Sequence, residues 1–286
     1  MNEYRIFTDS ACDLSADVLR ERHVKFCSLS FSFDGENRVY GNHELPAPVF
    51  YQFMRDGKIA RTSAINPDTF YQAFEKELKK GRDILYIGVS GPLSTTYNSA
   101  CIAAQELLEQ YPDRKILTVD SLGASAGLGM LVDLTVQKKE AGATIEEAAA
   151  YAEDLKHRVC HRFTTDTLTY LQRGGRIGAA AAMFGNALNL RPILKVTEEG
   201  LLENTAKVRG RKATLRALAD KAIKEAVDGS PIFISQADCP EDAKTLAQMI
   251  REARGLETQI ITDVGPVIGA HAGPGTVALF YIGTSR

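Results

Sequence analysis

The 286-residue sequence has no tryptophan and no Cys-x-x-Cys pair. No apolar run in it approaches the ~18 residues that a bilayer-spanning helix needs. Its five cysteines (Cys12, Cys27, Cys101, Cys160, Cys239) are scattered and odd in number, which argues against a disulfide framework and against a structural zinc site. The opening MNEYRIFTDS lacks the basic n-region and apolar h-region of a secretory signal, so a cytoplasmic protein is expected. A formal net charge of -2 gives no electrostatic reason to expect nucleic acid or a membrane surface as the main partner.

Signatures of catalysis are missing too. There is no G-x-S-x-G elbow, no Walker-type phosphate loop and no H-E-x-x-H. GASAGLG (Gly123 to Gly129) follows a strand-like ILTVD, but its glycine spacing is not that of a dinucleotide fingerprint. No acidic residue ends a following strand ~20 positions on. No nicotinamide, flavin or other cofactor is expected, and no metal.

What is present is an α/β texture. YRIFT reads as a strand, SADVLRERH as a helix capped by Ser15, and VKFCSLSFSF as an alternating strand. Asn66, Pro67 and Gly81 punctuate the helix NPDTFYQAFEKELKKG. DILYIGVS, the helix TYNSACIAAQELLEQYP and KILTVDS then repeat strand, helix, strand, with crossovers long enough for a parallel sheet. The later half holds VCHRFTT, a hairpin ILKVTEEGLLENTAKVRG turning near Glu198 to Gly200, a helix RKATLRALADKAIKEAVDG, and strands in PIFISQAD, LETQIITDVG and GTVALFYIG. The length suits two α/β domains, placed at 1–158 and 159–286, the first with a mainly parallel sheet and the ligand between them.

Three hydroxyl-rich loops fall at strand ends: RTSAINP (Arg61 to Pro67), VSGPLSTTYNSA (Val89 to Ala100) and DSLGASAG (Asp120 to Gly127). In an open parallel sheet such loops face the ligand crevice, and their hydroxyls donate hydrogen bonds without adding charge. Taken singly, each is also an ordinary helix cap. The fourth feature is VIGAHAGPGTVALF (Val267 to Phe280), where His271 sits among glycines and alanines with strand-like apolar runs on both sides. The fifth is YLQRGGRIG (Tyr170 to Gly178), in which Arg173 and Arg176 bracket a Gly-Gly turn that could clamp an anion or mark a docking surface. The basic KVRGRK (Lys207 to Lys212) is poorly placed for the dipole of the helix it opens, and is a modest candidate for an anion.

Together, TDSACDL, TSAINPDTF, LSTTYNSA, DSLGASAG, YLQRGGRIG, RPILKV and IGAHAGPGTV resemble the DegV family over nearly the whole chain. That resemblance implies a fatty-acid-binding subunit of a bacterial fatty acid kinase, a carrier and not an enzyme. It would bury one long-chain acyl chain between two domains and present the carboxylate to a separate kinase catalytic subunit, for acyl phosphate used in phospholipid synthesis. Transient membrane contact for lipid exchange would fit the same role. The carboxylate contacts fall on Thr62 and Ser94, with His271 close by. Ser63, Thr95 and Ser125 complete the ligand-binding candidates, and Arg173 with Arg176 forms the partner-docking pair. One departure stands out: the family's SSxLSGTY is here SGPLSTTY, so Thr95 replaces a glycine and Gly91 a serine.

The energetics suit such a ligand. At ~0.8 kcal/mol per buried methylene, about twelve offer on the order of 10 kcal/mol before ordering costs. A hydroxyl donating to a carboxylate is worth ~1.5–3 kcal/mol, most of it offset by desolvation. The chain would supply affinity and the hydroxyls orientation. Two other classes compete: a stand-alone small-molecule kinase or hydrolase, and a regulatory module sensing another anionic metabolite through KVRGRK.

Overall fold

The computed structural model describes residues 3–178 and 189–286. The fold is α/β and two-domain. Strands β1 (Tyr4–Asp9), β2 (Lys25–Cys27), β6 (Asp83–Gly88) and β7 (Ile116–Asp120) form a fully parallel sheet in the order β2-β1-β6-β7. Its crossovers include α1 (Ala16–Glu21), α3 (Pro67–Leu78) and α4 (Thr96–Gln110). The Ser15 hydroxyl accepts from the Val18 amide and the Asn66 side chain from that of Thr69, so both expected caps form.

Helices α5 (Ala126–Glu140) and α6 (Ile145–Leu155) lead into the second sheet. This is six-stranded and mixed: β8 (Val159–Thr164), β9 (Leu190–Val196), β10 (Leu202–Arg209), β11 (Ile232–Gln236), β12 (Thr258–Asp263) and β13 (Val277–Ile282), in the order β10-β9-β8-β13-β11-β12. Only β11 and β12 pair in parallel. The β9–β10 hairpin turns at Thr197 to Gly200, within the expected stretch. Alternation sorts the sheet's two faces. Cys160, Ile193, Leu279 and Tyr281 face a core shared with α8 (Arg211–Glu225) and α9 (Pro240–Arg254). Phe163, Leu194, Phe233 and Phe280 face the opposite way, into one core continuous with the first half of the chain.

Two sequence expectations fail here. VKFCSLSFSF is not one strand: β2 joins the parallel sheet, while β3 (Ser30–Phe33) starts a separate antiparallel sheet with β4 (Val39–Gly41) and β5 (Ala60–Ser63). Hydrophobic alternation continues through the break because both pieces have one buried face, so periodicity cannot reveal the change of sheet. The apolar run before His271 is likewise not a strand but the helix α10 (Pro266–Ala272). Pro266 sits in its first turn, a placement that suits proline, and a short apolar run fits a buried helix as well as a strand.

A cavity between the two halves

The carboxyl ends of β1, β6 and β7 converge on a cavity of about 350 Å³. Its walls come from both halves of the chain: Ala11, Val89 and Ala124 from one, Phe163, Ala278 and Phe280 from the other. Thr62, Ser94, Thr95, Ser125, Arg176 and His271 also line it.

Polar groups cluster at one end. The central strand β3 pairs Phe31 with Tyr40 on one side and Thr62 on the other, so these three lie on one face, where Phe31 and Tyr40 are buried. Thr62 Oγ1 lies 2.9 Å from His271 Nε2, closing the contact expected between these residues. Ser94 lines the same cavity, but its hydroxyl donates to Thr96 Oγ1 at 3.0 Å. Thr95 is exposed at the N-cap of α4, and its side chain makes no capping bond.

Ser63 is a correction. In β5 it is one residue from Thr62, and pleating sends it to the exposed face opposite Ser30, away from the cavity lining. Arg176 is a second correction. The Gly174-Gly175 turn folds the chain back, so that Arg176 points inward: Nε donates to the Leu93 carbonyl at 3.1 Å and Nη1 to that of Gly174 at 2.5 Å. Arg173 remains exposed, with its guanidinium 5.7 Å from the centre of the Tyr170 ring.

The small residues around His271 have a packing reason. A Cβ on Gly174 would lie 2.1 Å from His271 Nδ1, and one on Gly273 would lie 2.2 Å from the Tyr170 ring. Gly273 also has φ +82°, in the left-handed region. Glycines therefore let α7 (Thr169–Arg173) and its C-cap close against α10. Burial, and secondarily the Arg176 charge, lowers the His271 pKa to about 4. The ring is neutral at pH 7, with one N–H and one lone pair. Its Nδ1 has no hydrogen-bond partner among the described residues.

Sequence reading missed a polar joint behind the cavity. Ser125 Oγ donates to Asp13 Oδ2 at 2.5 Å and lies 2.9 Å from Ser235 Oγ. Asp13 Oδ1 accepts from the Gly265 amide at 3.0 Å, at the start of α10. Ser125 holds φ 56°, ψ -152°, a region that costs a non-glycine residue on the order of 1–3 kcal/mol. The two acids of TDSACDL gave a signal, since they sit in a segment that is otherwise buried.

KVRGRK holds no free anion site at Arg211, whose guanidinium pairs with Asp242 at 2.6 Å and Asp166 at 3.4 Å. The helix begins at Arg211, and Lys207 to Arg209 end β10. Among the described residues, no group of three His, Cys, Asp or Glu side chains could hold a metal, and no helix is long and apolar enough to cross a membrane.

Fold and cavity together define a two-domain α/β protein with a largely apolar cavity between its halves, into which Thr62, Ser94 and His271 bring polar groups. A family described as "Uncharacterised protein, DegV family" matches residues 3–284, and the chain belongs to it. A DegV domain-containing protein of Clostridium perfringens is 41% identical over 289 residues, covering 100% of this chain and 99% of its own. The solved structure of a DegV family protein from Thermus thermophilus, described by its fatty acid binding, is 30% identical with TM-score 0.87, covering 99% of this chain and 100% of its own. A stearic-acid-binding protein from Eubacterium ventriosum is 26% identical with TM-score 0.88, covering 98% of each chain.

Proposed function

We propose that this protein binds a long-chain fatty acid, with its acyl chain in the cavity and its carboxylate at Thr62, Ser94 and His271. One observation carries the reading: an apolar chamber of about 350 Å³ whose polar groups gather where Thr62 meets His271. The fatty acids of the Thermus and Eubacterium relatives support the ligand class. The hydrogen-bonded Thr62–His271 pair and the Ser94 hydroxyl orient a carboxylate, while Arg176, already committed to two backbone carbonyls, adds positive potential without a bidentate clamp. Such a carboxylate keeps nucleophilic lone pairs. That suits a carrier which hands its oxygen to the γ-phosphate of a nucleotide held by a separate kinase subunit, with exposed Arg173 on the docking side.

Mass spectrometry of the denatured protein should find a fatty acid. Lipid-free protein that also fails to take up hexadecanoate or octadecenoate would refute the proposal. Thr62→Val should weaken octadecanoate binding by roughly 10-fold, the scale of a hydrogen bond to a charged group. Ser63→Ala, on the outer face, should stay within about twofold, near the noise of exposed substitutions. Comparable losses in both variants would count against the head-group placement. With a kinase subunit supplied, His271→Ala should retain lipid and slow acyl phosphate formation; unchanged turnover would remove His271 from that step.

A further inference from the structure

A second cavity, of about 540 Å³, opens at the amino ends of the parallel sheet, the end opposite to the first. Arg5 is the second residue of β1, Lys25 the first of β2, and Arg82 directly precedes β6. β1 runs six residues, ~20 Å at ~3.3 Å each, and the two cavities share no lining residue.

Three elements build its walls. Arg5 lies two residues before Phe7 on β1, and Lys25 stands in register with Phe7. Both therefore share the face on which Phe7 meets Phe74 of α3, ring to ring at 5.1 Å. The end of α3 brings Glu77, and Lys80 and Arg82 follow it. α1 closes the other side with Leu19 and Arg20. The turn out of α1 places His23 at φ +54°, and the His23 carbonyl accepts from Arg5 Nη1 at 3.3 Å. Buried Leu19 and Val24, with half-buried Phe26, make the apolar part of the lining.

Charge in this cavity is one-sided. Arg5, Arg20, Lys25, Lys80 and Arg82 line it against a single acid, Glu77. Glu77 is buried and already accepts from Lys80 at 2.8 Å and from Arg82 at 3.1 Å. Glu3 and Asp17 pair with Arg5, Arg82 and Arg20 from outside the lining. Even so, five cations face three carboxylates, a surplus of two. The whole chain has a formal net charge of -2, so this surplus is local. Arg20, Lys25 and Lys80 are exposed, and the surface pair of Arg20 with Asp17 exchanges readily, so these heads can turn to a ligand.

We infer that this cavity is a second ligand site, for a phosphate monoester with a small apolar body. Such an ester carries about 1.5 to 2 negative charges near neutral pH, which matches the surplus. Its terminal oxygens accept from guanidinium and ammonium donors together, whereas a carboxylate would leave one positive charge uncompensated. The volume lies within the ~300–1,000 Å³ of small-molecule sites, and Leu19, Val24 and Phe26 offer the body an apolar surface. The site stands independently of the fatty-acid reading.

The test is calorimetric titration of the protein at low ionic strength, about pH 7.5, with phenyl phosphate, inorganic phosphate and benzoate. Phenyl phosphate should bind roughly tenfold tighter than inorganic phosphate, which lacks the apolar body, and than benzoate, which lacks the second charge. Arg20→Gln should weaken phenyl phosphate by roughly threefold, and Lys25→Glu by about 30-fold or more. Both side chains are exposed and outside the first cavity, so melting temperature and octadecanoate uptake should not change. No measurable binding of phenyl phosphate, or binding undiminished in Lys25→Glu, overturns the site, while octadecanoate uptake reports on the fatty-acid reading separately. Benzoate binding as tightly as phenyl phosphate overturns the ligand class. Flotation with phosphatidate-containing vesicles by a protein that ignores phenyl phosphate overturns the small-molecule site in favour of a membrane headgroup.

Discussion

Replacing Ala278 with phenylalanine should abolish binding of long acyl chains while leaving the protein folded. Ala278 is 6% exposed, faces the cavity from β13 and stands in register with Phe163 across the strand pair. The new ring would project a whole phenyl group from the wall into the chamber, across the path of the chain. A chain shut out at that point loses the burial of about half its methylenes, on the order of 5 kcal/mol, or three to four orders of magnitude in affinity. Overpacking a filled core costs ~1–3 kcal/mol, and here the ring enters open space, so the melting temperature should change little. Titration with hexadecanoate alongside a thermal melt checks both halves. Undiminished binding by a folded Ala278→Phe protein would mean that the acyl chain lies elsewhere.

The alternating strands and helices were legible because each carries a local signature: Ser15 and Asn66 at helix starts, and apolar strands such as DILYIG buried along their whole length. The three-stranded sheet was not. Val39–Gly41 is too short to show periodicity, and pairing of Phe31 with both Tyr40 and Thr62 is a long-range event with no local trace. The same limit governs the site. His271, Thr62, Ser94 and Ser125 could be singled out as hydroxyls and an imidazole in small-residue loops, yet nothing local separates Thr62 from Ser63 until β5 exists and its pleat assigns faces. Arg176 looked equivalent to Arg173 because the Gly-Gly turn that points them apart is a matter of backbone direction. Asp13 owes its chemistry to burial, which sequence composition does not report.

Asp13 leads to the second large expected effect, on stability as a function of pH. Its carboxyl is fully buried, and desolvation pushes its pKa up to about 8, outweighing the donors from Ser125 and Gly265; Asp263 and Asp9 push the same way. An unfolded aspartate titrates near ~3.9. Because the folded value is the higher one, the protonated group's contribution is whole below ~3.9 and is lost progressively as pH rises toward about 8. Asp13→Asn removes that titration while keeping the side chain's shape. Its stability relative to wild type should therefore climb by several kcal/mol between about pH 5 and pH 8 and then level off. Urea unfolding of both proteins across that range reads the difference directly, and a constant offset would rule out an upshifted Asp13. Asp13→Ala removes the same titration, so its stability relative to wild type should follow the same pH dependence, but on the order of 2–4 kcal/mol below Asp13→Asn, since Ser125 and the Gly265 amide are left without an acceptor. The damage would reach the ligand end of the cavity. Gly265 opens α10, whose start is otherwise held by Asn42 accepting from the Val267 amide and Tyr51 donating to the Val264 carbonyl. Loosening that helix loosens the cavity wall formed by Val267, Ile268 and Ala272, so Asp13→Ala should also weaken octadecanoate binding, although Asp13 lies outside the cavity lining.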